Sequence, residues 1–296
     1  MDKALQAILL ATVIGTLARY LMLRRDYRQY PSYPHGVITH LALGLIAAVL
    51  GGVAFPALLE KEFTAVTFLA LAATQFREVR DMERTLLSSL DQSELVKRGP
   101  DYIEGISRAF EARNYLVMLI SFFVAITAYH INTVGGIAAG VLLIIASNYV
   151  RRGKEIGKIA KVRRGKLYFK GANLFVDGIH FMNLATQEIK EQVLKRGIGI
   201  VIEPLDDDAR AILANNGQRL AIAHDCASLL GVYRDVDTAE FTPILRRDLD
   251  TGRIGFIILP LEKDEEMLIE AVKRVPVLES AISSPLKNFI GKKAAD

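Results

Sequence analysis

The sequence predicts a multi-pass α-helical membrane bundle of about five spans, followed by a cytoplasmic α/β domain. Of its 296 residues, 51% are hydrophobic and only 24% are charged. Several apolar runs in the first half approach the length of about 20 residues with which an α-helix crosses a bilayer. From Leu167 onward, short apolar segments alternate with amphipathic ones, a pattern typical of a soluble domain.

Five segments come near the length of a membrane span. They are predicted at about 4–23, 37–59, 63–76, 112–130 and 133–150. The first run is longer than the apolar region of a signal peptide and has no small-residue cleavage site after it, so we interpret it as a retained helix. The third is the shortest, and only Glu60-Lys61-Glu62 separates it from the second. The second and third spans should therefore form a tight hairpin.

Lysine and arginine residues concentrate after the first, third and fifth predicted spans. The loop after the first span contains Arg24, Arg25 and Arg28, whereas the opposite side carries only Lys3 and Lys61. Short basic loops remain in the cytoplasm. The pattern predicts a multi-pass protein of the cell membrane, with its N-terminus outside and its C-terminus in the cytoplasm.

Residues 151–166, RRGKEIGKIAKVRRGK, are predicted to form a basic juxtamembrane linker, since they contain eight basic residues and one acid. Anionic lipid attracts such a segment by about 1 kcal/mol for each Lys or Arg near the surface. The predicted membrane-surface contacts are Arg151, Arg152, Lys154, Lys158, Lys161, Arg163 and Arg164. Because no aromatic residue is interleaved with these charges, we predict no nucleic-acid partner.

The cytoplasmic α/β domain is predicted over residues 167–282, before a disordered tail at 283–296. A hairpin should turn at Gly171-Ala172-Asn173, and a strand over 218–225, QRLAIAHD, should lead into a helix over 226–231. Cys226 is the single cysteine, which excludes an internal disulfide and fits a cytoplasmic domain.

Residues 100–115, PDYIEGISRAFEARNY, predict a helix that continues into the fourth span. Asp101 followed by Glu104 forms a capping-box pattern. One helix face is apolar and a second is charged; the charged stripe consists of Glu104, Arg108 and Glu111. Gly105 costs such a helix about 1 kcal/mol relative to alanine, which suggests a close neighbour there. From the residues alone, this is an amphipathic elbow on the bilayer.

This stretch resembles the signature of the YIEGIA family, integral membrane proteins of endospore-forming Gram-positive bacteria named for that hexapeptide. Ser107 replaces the final alanine, a small-for-small change. The resemblance extends to the layout of several spans followed by a cytoplasmic domain. It implies a sporulation-associated membrane protein, and a proteolytic role tied to a small inhibitory partner protein.

The motif is accordingly the predicted partner-binding site. Its residues are Tyr102, Ile103, Glu104, Gly105, Ile106, Arg108, Glu111 and Arg113. We expect the chain to be a scaffold or regulator that binds partner proteins, including a small inhibitory or capping protein, at the cytoplasmic membrane face. The alternative is a membrane-embedded regulatory protease controlled by such a partner.

Three short patterns are candidates for catalysis, and each has a simpler structural interpretation. His224-Asp225-Cys226 would place a thiol at a helix N-terminus, but Asp225 there is an ordinary N-cap. Leu249–Gly252, LDTG, matches the core of aspartic proteases, yet a single copy suits a hairpin turn. Acids at Asp206–Asp208 suit the first turn of a helix. The catalytic residues are therefore left unknown.

We predict no metal and no cofactor. His40 and His130 are expected at opposite faces of the bilayer, so they cannot share a metal ion. Gly136 and Gly140 form a GxxxG pattern, which favours close helix packing either within the bundle or in a homodimer.

Overall fold

The computed structural model of the chain describes residues 2–26, 34–150, 153–234 and 241–282. Predictions for Arg28, Arg151, Arg152 and the tail at 283–296 lie outside the described residues. The chain divides into two compact units. The helical unit comprises Met1–Leu86 and Ile106–Arg152, and the mixed unit comprises Leu87–Gly105 and Gly153–Asp296.

Five helices account for the described residues of the first half. They are α1 (Lys3–Asp26), α2 (Pro34–Leu59), α3 (Phe63–Gln92), α4 (Pro100–His130) and α5 (Thr133–Val150). Three segments are long and apolar enough to cross a membrane: Lys3–Leu23, Gly36–Leu59 and Pro100–His130. Thr133–Tyr149 is a shorter apolar helix. The prediction of a membrane bundle is thus supported in its coarse form, by three candidate spans.

Helix α3 extends well beyond the apolar segment predicted as the third span. It continues from Phe63 to Gln92 as one helix of 30 residues. No glycine or proline occurs between residues 77 and 92, so nothing in that stretch interrupts helical backbone.

Small residues allow the helices of the helical unit to approach closely. Ala11 and Ala18 of α1 and Ala47 of α2 are fully buried. A Cβ added to Gly140 would lie 2.7 Å from Ile14 Cγ2, and one added to Gly136 would lie 2.9 Å from a methyl group of Leu10. The glycine pair of the GxxxG pattern therefore packs against α1 within the helical unit.

The mixed unit contains two antiparallel sheets. The first has the order β1 (Ala160–Gly165), β5 (Ile198–Pro204), β7 (Ile254–Ile258), β6 (Ile244–Arg247). The second has the order β2 (Leu167–Lys170), β3 (Asn173–Val176), β4 (Ile179–Asn183). Strands β5 and β7 are almost entirely buried, which explains their nearly continuous apolar sequences.

Six helices of the mixed unit are described after α5. They are α6 (Ile156–Ile159), α7 (Gln187–Arg196), α8 (Asp207–Ala214), α9 (Asn216–Leu230), α10 (Glu265–Arg274) and α11 (Glu279–Ile282). Side-chain oxygens cap three of them. Asp206 accepts from Ala209 N at 2.7 Å, and Asn215 and Asp264 cap α9 and α10 in the same way.

Several predicted elements differ from the structure. The strand predicted over 218–225 is wrong, because these residues lie inside α9. Burial around most of that helix hides the 3.6-residue period that would have identified it. The hairpin turn after Lys170 is confirmed, since Lys170 pairs with Asn173. Part of the predicted linker, Ala160–Gly165, forms β1, in which Val162 is buried.

Helix α4 begins two residues earlier than the capping-box pattern predicts, because that pattern makes Asp101 the N-cap and Tyr102 the first helical residue. Its first residue is Pro100, which is a favoured position for proline. Gly99 precedes it with φ +87°, and Gly99 O accepts a hydrogen bond from Ile103 N at 3.2 Å. Asp101 therefore lies within the first turn and is not the N-cap.

Candidate functional site

The first residues of the signature pack against α9 in the mixed unit. The side chains of Tyr102 and Ile103 are buried. Tyr102 Oη donates a hydrogen bond to Asp225 Oδ2 at 3.0 Å. The carboxylate of Asp101 lies against the first turn of α9, where a Cβ on Gly217 would overlap it. The start of α4 is thus held at two places along α9, the first turn and Asp225, and a glycine at position 217 is required for this approach.

A second set of bonds joins α9 to the residues just before α4. His224 Nδ1 lies 2.7 Å from the carbonyl oxygen of Val96, and Arg98 Nε lies 2.9 Å from His224 Nε2. A carbonyl oxygen only accepts hydrogen bonds and a guanidinium only donates them. His224 is therefore neutral, with its proton on Nδ1 and its Nε2 lone pair accepting from Arg98.

The surroundings of His224 favour its neutral form. Burial lowers the pKa of His224, the hydrogen bond to the Val96 carbonyl raises it, and the nearby Arg98 cation lowers it further. The net pKa lies below the ordinary value of histidine. The ring is consequently uncharged at neutral pH.

Two carboxylates hold Arg98 in this position. The Arg98 backbone N donates to Asp91 Oδ1 at 2.7 Å, and Arg98 Nη2 pairs with Glu94 Oε1 at 3.0 Å. The Arg98 side chain is 14% exposed. A guanidinium held by charge-assisted bonds loses little further freedom when it donates to His224.

The remaining signature residues divide into buried and outward-facing positions. Ile106 is buried, whereas Arg108 is exposed. Glu104, Gly105 and Arg113 are half-buried. Glu111 Oε2 pairs with Arg80 Nη1 of α3 at 3.0 Å within the helical unit, so its carboxylate already has an internal partner.

Gly105 has no close neighbour among the described residues, so the neighbour that the sequence suggests is not supplied by this part of the chain. A Cβ added to Gly105 would meet no heavy atom of the described residues within 4 Å. The glycine thus weakens the helix by about 1 kcal/mol relative to alanine without making room for another described part of the chain.

Arg19, a buried cation in the helical unit, was missed by sequence reasoning. The Arg19 side chain has no exposed surface. Its Nη2 lies 3.3 Å from His40 Nδ1, and its guanidinium carbon lies 5.4 Å from the centroid of the Phe110 ring. The signal was present, because Arg19 is an ionisable residue within the apolar run at 4–23 and such residues are usually functional or structurally paired.

The sequence analysis also missed a row of buried polar side chains on α4. Ser107, Asn114 and Ser121 recur every seven residues on one helix face, and all three are fully buried. Ser121 Oγ donates to Ala11 O at 3.1 Å. Neither side-chain amide atom of Asn114 has a hydrogen-bond partner among the described residues. Their seven-residue spacing was the available signal.

The predicted membrane-surface residues differ in what surrounds them. Arg163 bonds Asp177 and Glu203, and Arg164 pairs with Glu265 at 2.9 Å. The side chains of Lys154, Lys158 and Lys161 are exposed. Contact with lipid remains a prediction. Among the described basic residues of this segment, these three exposed lysines are the ones best placed to make it.

The candidate thiol lies in a poor setting for nucleophilic attack. Cys226 is fully buried inside α9, and burial raises the pKa of its thiol. The sequence pattern would have placed this thiol at a helix N-terminus, but Cys226 lies inside α9. Asp225 is likewise inside α9 rather than at its N-cap. A buried, protonated thiol is chemically inert.

The other catalytic candidates have structural roles. Asp250 lies in the turn between β6 and β7, where its carbonyl oxygen accepts from Arg210 Nη2 at 2.9 Å. Asp206 caps α8. Ser228 Oγ lies 3.4 Å from His224 Nε2, but Arg98 already donates to that lone pair. His224 therefore cannot act as a base for Ser228 in this arrangement.

Comparison with known proteins finds a protein family and a relative that match most of the chain. The model of the family described as "YIEGIA protein" matches residues 7–288. The chain is 42% identical over 285 residues to "Uncharacterized protein YphB" of Bacillus subtilis (strain 168), and the match covers 96% of each chain. No solved structure matches the chain. Since the family match includes both the signature helix and α9, the chain belongs to the YIEGIA family.

Proposed function

We propose that this protein is a sporulation-associated integral membrane protein that acts as a scaffold or regulator and binds partner proteins at the cytoplasmic face of the membrane. The observation that carries the proposal is the continuity of α4. This helix of 31 residues starts against α9 in the mixed unit, and its later part, from Tyr115 to His130, is apolar.

The proposed arrangement has five spans, with the N-terminus outside and the C-terminus in the cytoplasm. Three helices with the length and composition of membrane spans support it, together with the shorter apolar helix Thr133–Tyr149. The apolar start of α3 would be the remaining span. The concentration of basic residues after the first, third and fifth predicted spans supports the orientation.

The proposed partner surface is the outward stripe of α4. Its members recur at helical spacing and consist of Glu104, Gly105, Arg108 and Ala112. Gly105 is the informative member, because the described chain does not use the space that a missing Cβ leaves. A partner backbone or side chain that approaches closely would use it. Arg108 lies on the same stripe as this space and is exposed.

Site-specific photo-crosslinking in sporulating cells tests this surface. A photoreactive amino acid at position 108 should form a discrete adduct with a partner protein, whereas the same residue at Glu188, an exposed position on α7, should not. Gly105→Ala should abolish the adduct at position 108 while the protein remains folded. An adduct of equal yield from both positions, or one unaffected by Gly105→Ala, would count against the stripe.

The same cells separate binding from proteolysis. Mass spectrometry of protein N-termini, with and without the chain, should show the same termini for a scaffold. New internal N-termini that depend on the wild-type chain, and that reappear in purified membranes, would contradict the scaffold proposal and indicate a protease.

A further inference from the structure

His224 stands at the centre of the bonds that hold the start of α4 to α9. It bonds Val96 through Nδ1 and Arg98 through Nε2. The Tyr102 ring lies edge-on to it, with centroids 6.4 Å apart. Val96, Arg98 and Tyr102 all belong to one short segment of the chain. One imidazole therefore contacts the segment before α4 and the first turn of α4 together.

Both ring nitrogens are committed, and this arrangement is possible for only one protonation state. The Val96 carbonyl requires a proton on Nδ1, and the Arg98 Nε–H requires a lone pair on Nε2. A second proton would have to go on Nε2. Two N–H groups would then face each other at the position of the 2.9 Å hydrogen bond, and two cations would be adjacent.

The other charges near His224 do not restore this contact. Glu94 Oε2 lies 3.7 Å from His224 Nδ1, on the opposite side of the ring from Arg98 Nε. Asp91 also favours the protonated ring from the segment before α4. On α9 itself the neighbouring groups are Asp225 and Ser228. The acids ease protonation of the ring, but none of them supplies the acceptor that Arg98 Nε loses.

We propose that His224 is a proton-operated latch that holds the start of α4 against α9 when neutral and releases it when protonated. The proposal does not depend on a partner protein, and it goes beyond the proposed scaffold role. Release would leave the Tyr102–Asp225 hydrogen bond and the contact of Asp101 with Gly217 in place. Acidification would thereby change how firmly the signature helix is anchored.

The pKa of His224 is shifted in the direction that a latch closed by the neutral ring requires. Burial and Arg98 keep the pKa of His224 below its ordinary value. Because the unfolded or released ring binds a proton more readily than the latched ring, the latch is at full strength above about pH 6.5 and is lost as pH falls through the lower value.

Hydrogen–deuterium exchange of the full-length protein in lipid nanodiscs measures the latch. The informative amides are those of Arg98 and Gly99, which donate to Asp91, and that of Ile103, which donates to Gly99 O. Between about pH 7.5 and about pH 5, we expect their protection factors to fall about tenfold or more in the wild type.

Two variants make the test specific. His224→Gln keeps an acceptor for Arg98 and cannot be protonated in this range, so its protection factors should change less than about twofold. Because the variant retains every carboxylate, titration of Asp91 or Glu94 is controlled. His180→Gln removes an exposed histidine on β4 and should behave as the wild type.

Three results would overturn the latch. Constant protection in the wild type across this pH range would do so, as would an equal loss of protection in His224→Gln. If His224→Gln lacks wild-type protection at pH 7.5, His224→Asn replaces it, and ring nitrogen NMR of the wild type is added. Protection that falls while Nε2 of His224 remains unprotonated is the third contradicting result.

Discussion

Tyr102 of α4 donates a hydrogen bond to Asp225 of α9, although 123 residues separate them in sequence. The acceptor is a carboxylate, and hydrogen bonds to charged groups are stronger than those between neutral groups. The tyrosine of the signature thus binds within the chain, through its hydroxyl group and its buried ring. Its role is to anchor the helix.

Tyr102→Phe should therefore destabilise the mixed unit by about 1.5–3 kcal/mol, since it removes one hydrogen bond to a charged group and little packing. Thermal unfolding of the full-length protein in detergent measures the loss. Tyr168→Phe, on β2, is the matched control, because the Tyr168 hydroxyl has no hydrogen bond to the described residues. When Asp225 is already replaced by asparagine, Tyr102→Phe should lower the free energy of unfolding by clearly less. Full additivity would show that the pair does not interact.

Two glycines in helices should respond in opposite ways to the same substitution. Gly217→Ala places a methyl group where the Asp101 side chain lies, and should destabilise the protein by about 1–3 kcal/mol. Gly105→Ala meets no described atom and should stabilise it by up to about 1 kcal/mol. Thermal unfolding of both variants tests the pair. A stabilising Gly217→Ala would mean that Asp101 does not approach α9.

Gly44 and Arg19 should be coupled in the helical unit. A Cβ on Gly44 would overlap the Arg19 side chain, so Gly44→Ala should cost about 1–3 kcal/mol. Arg19→Ala removes Cγ, which is the nearest obstructing atom, and Cδ, and it keeps only Cβ, which lies 2.8 Å from the added atom. A double-mutant cycle by thermal unfolding in detergent should then show that Gly44→Ala costs less than half as much when Arg19 is alanine. Equal costs in both backgrounds would argue against this contact.

Asp177 should make the mixed unit sensitive to acid. Burial raises the pKa of Asp177, but the Lys166 backbone N–H and the Arg163 guanidinium lower it more, so that the net pKa falls below its ordinary value. Its stabilisation is complete above the unfolded value of 3.8 and disappears as pH falls through the lower folded value.

Asp177→Asn should reduce stability at neutral pH by roughly 1 kcal/mol and flatten the decline in acid. Asparagine tolerates the φ of +47° at this position, so the backbone is not strained. Thermal unfolding from pH 7 to about pH 3 distinguishes the variants. Parallel acid profiles for wild type and Asp177→Asn would contradict this role.

Sequence reasoning located the apolar helices and the signature helix, because both depend on local periodicity. It placed Asp225 and Cys226 at a strand–helix junction, since a helix buried on most sides has no clear amphipathic pattern. The partners of Asp225 and His224 lie more than 120 residues away, and no local pattern indicates such a contact. Arg19 was locally visible, but its pairing with His40 required the structure.

Leu87–Gly105 and Gly153–Asp296 belong to one unit, although α4 and α5 separate them in sequence. During synthesis, the ribosome completes both apolar helices before the second part of this unit emerges. In the proposed arrangement, in which α4 and α5 both cross the bilayer, α5 returns the chain to the side on which α4 starts, where Tyr102 and Asp225 can meet. A fragment that begins at Gly153 would also emerge without Arg98 and Tyr102, leaving one side of α9 uncovered.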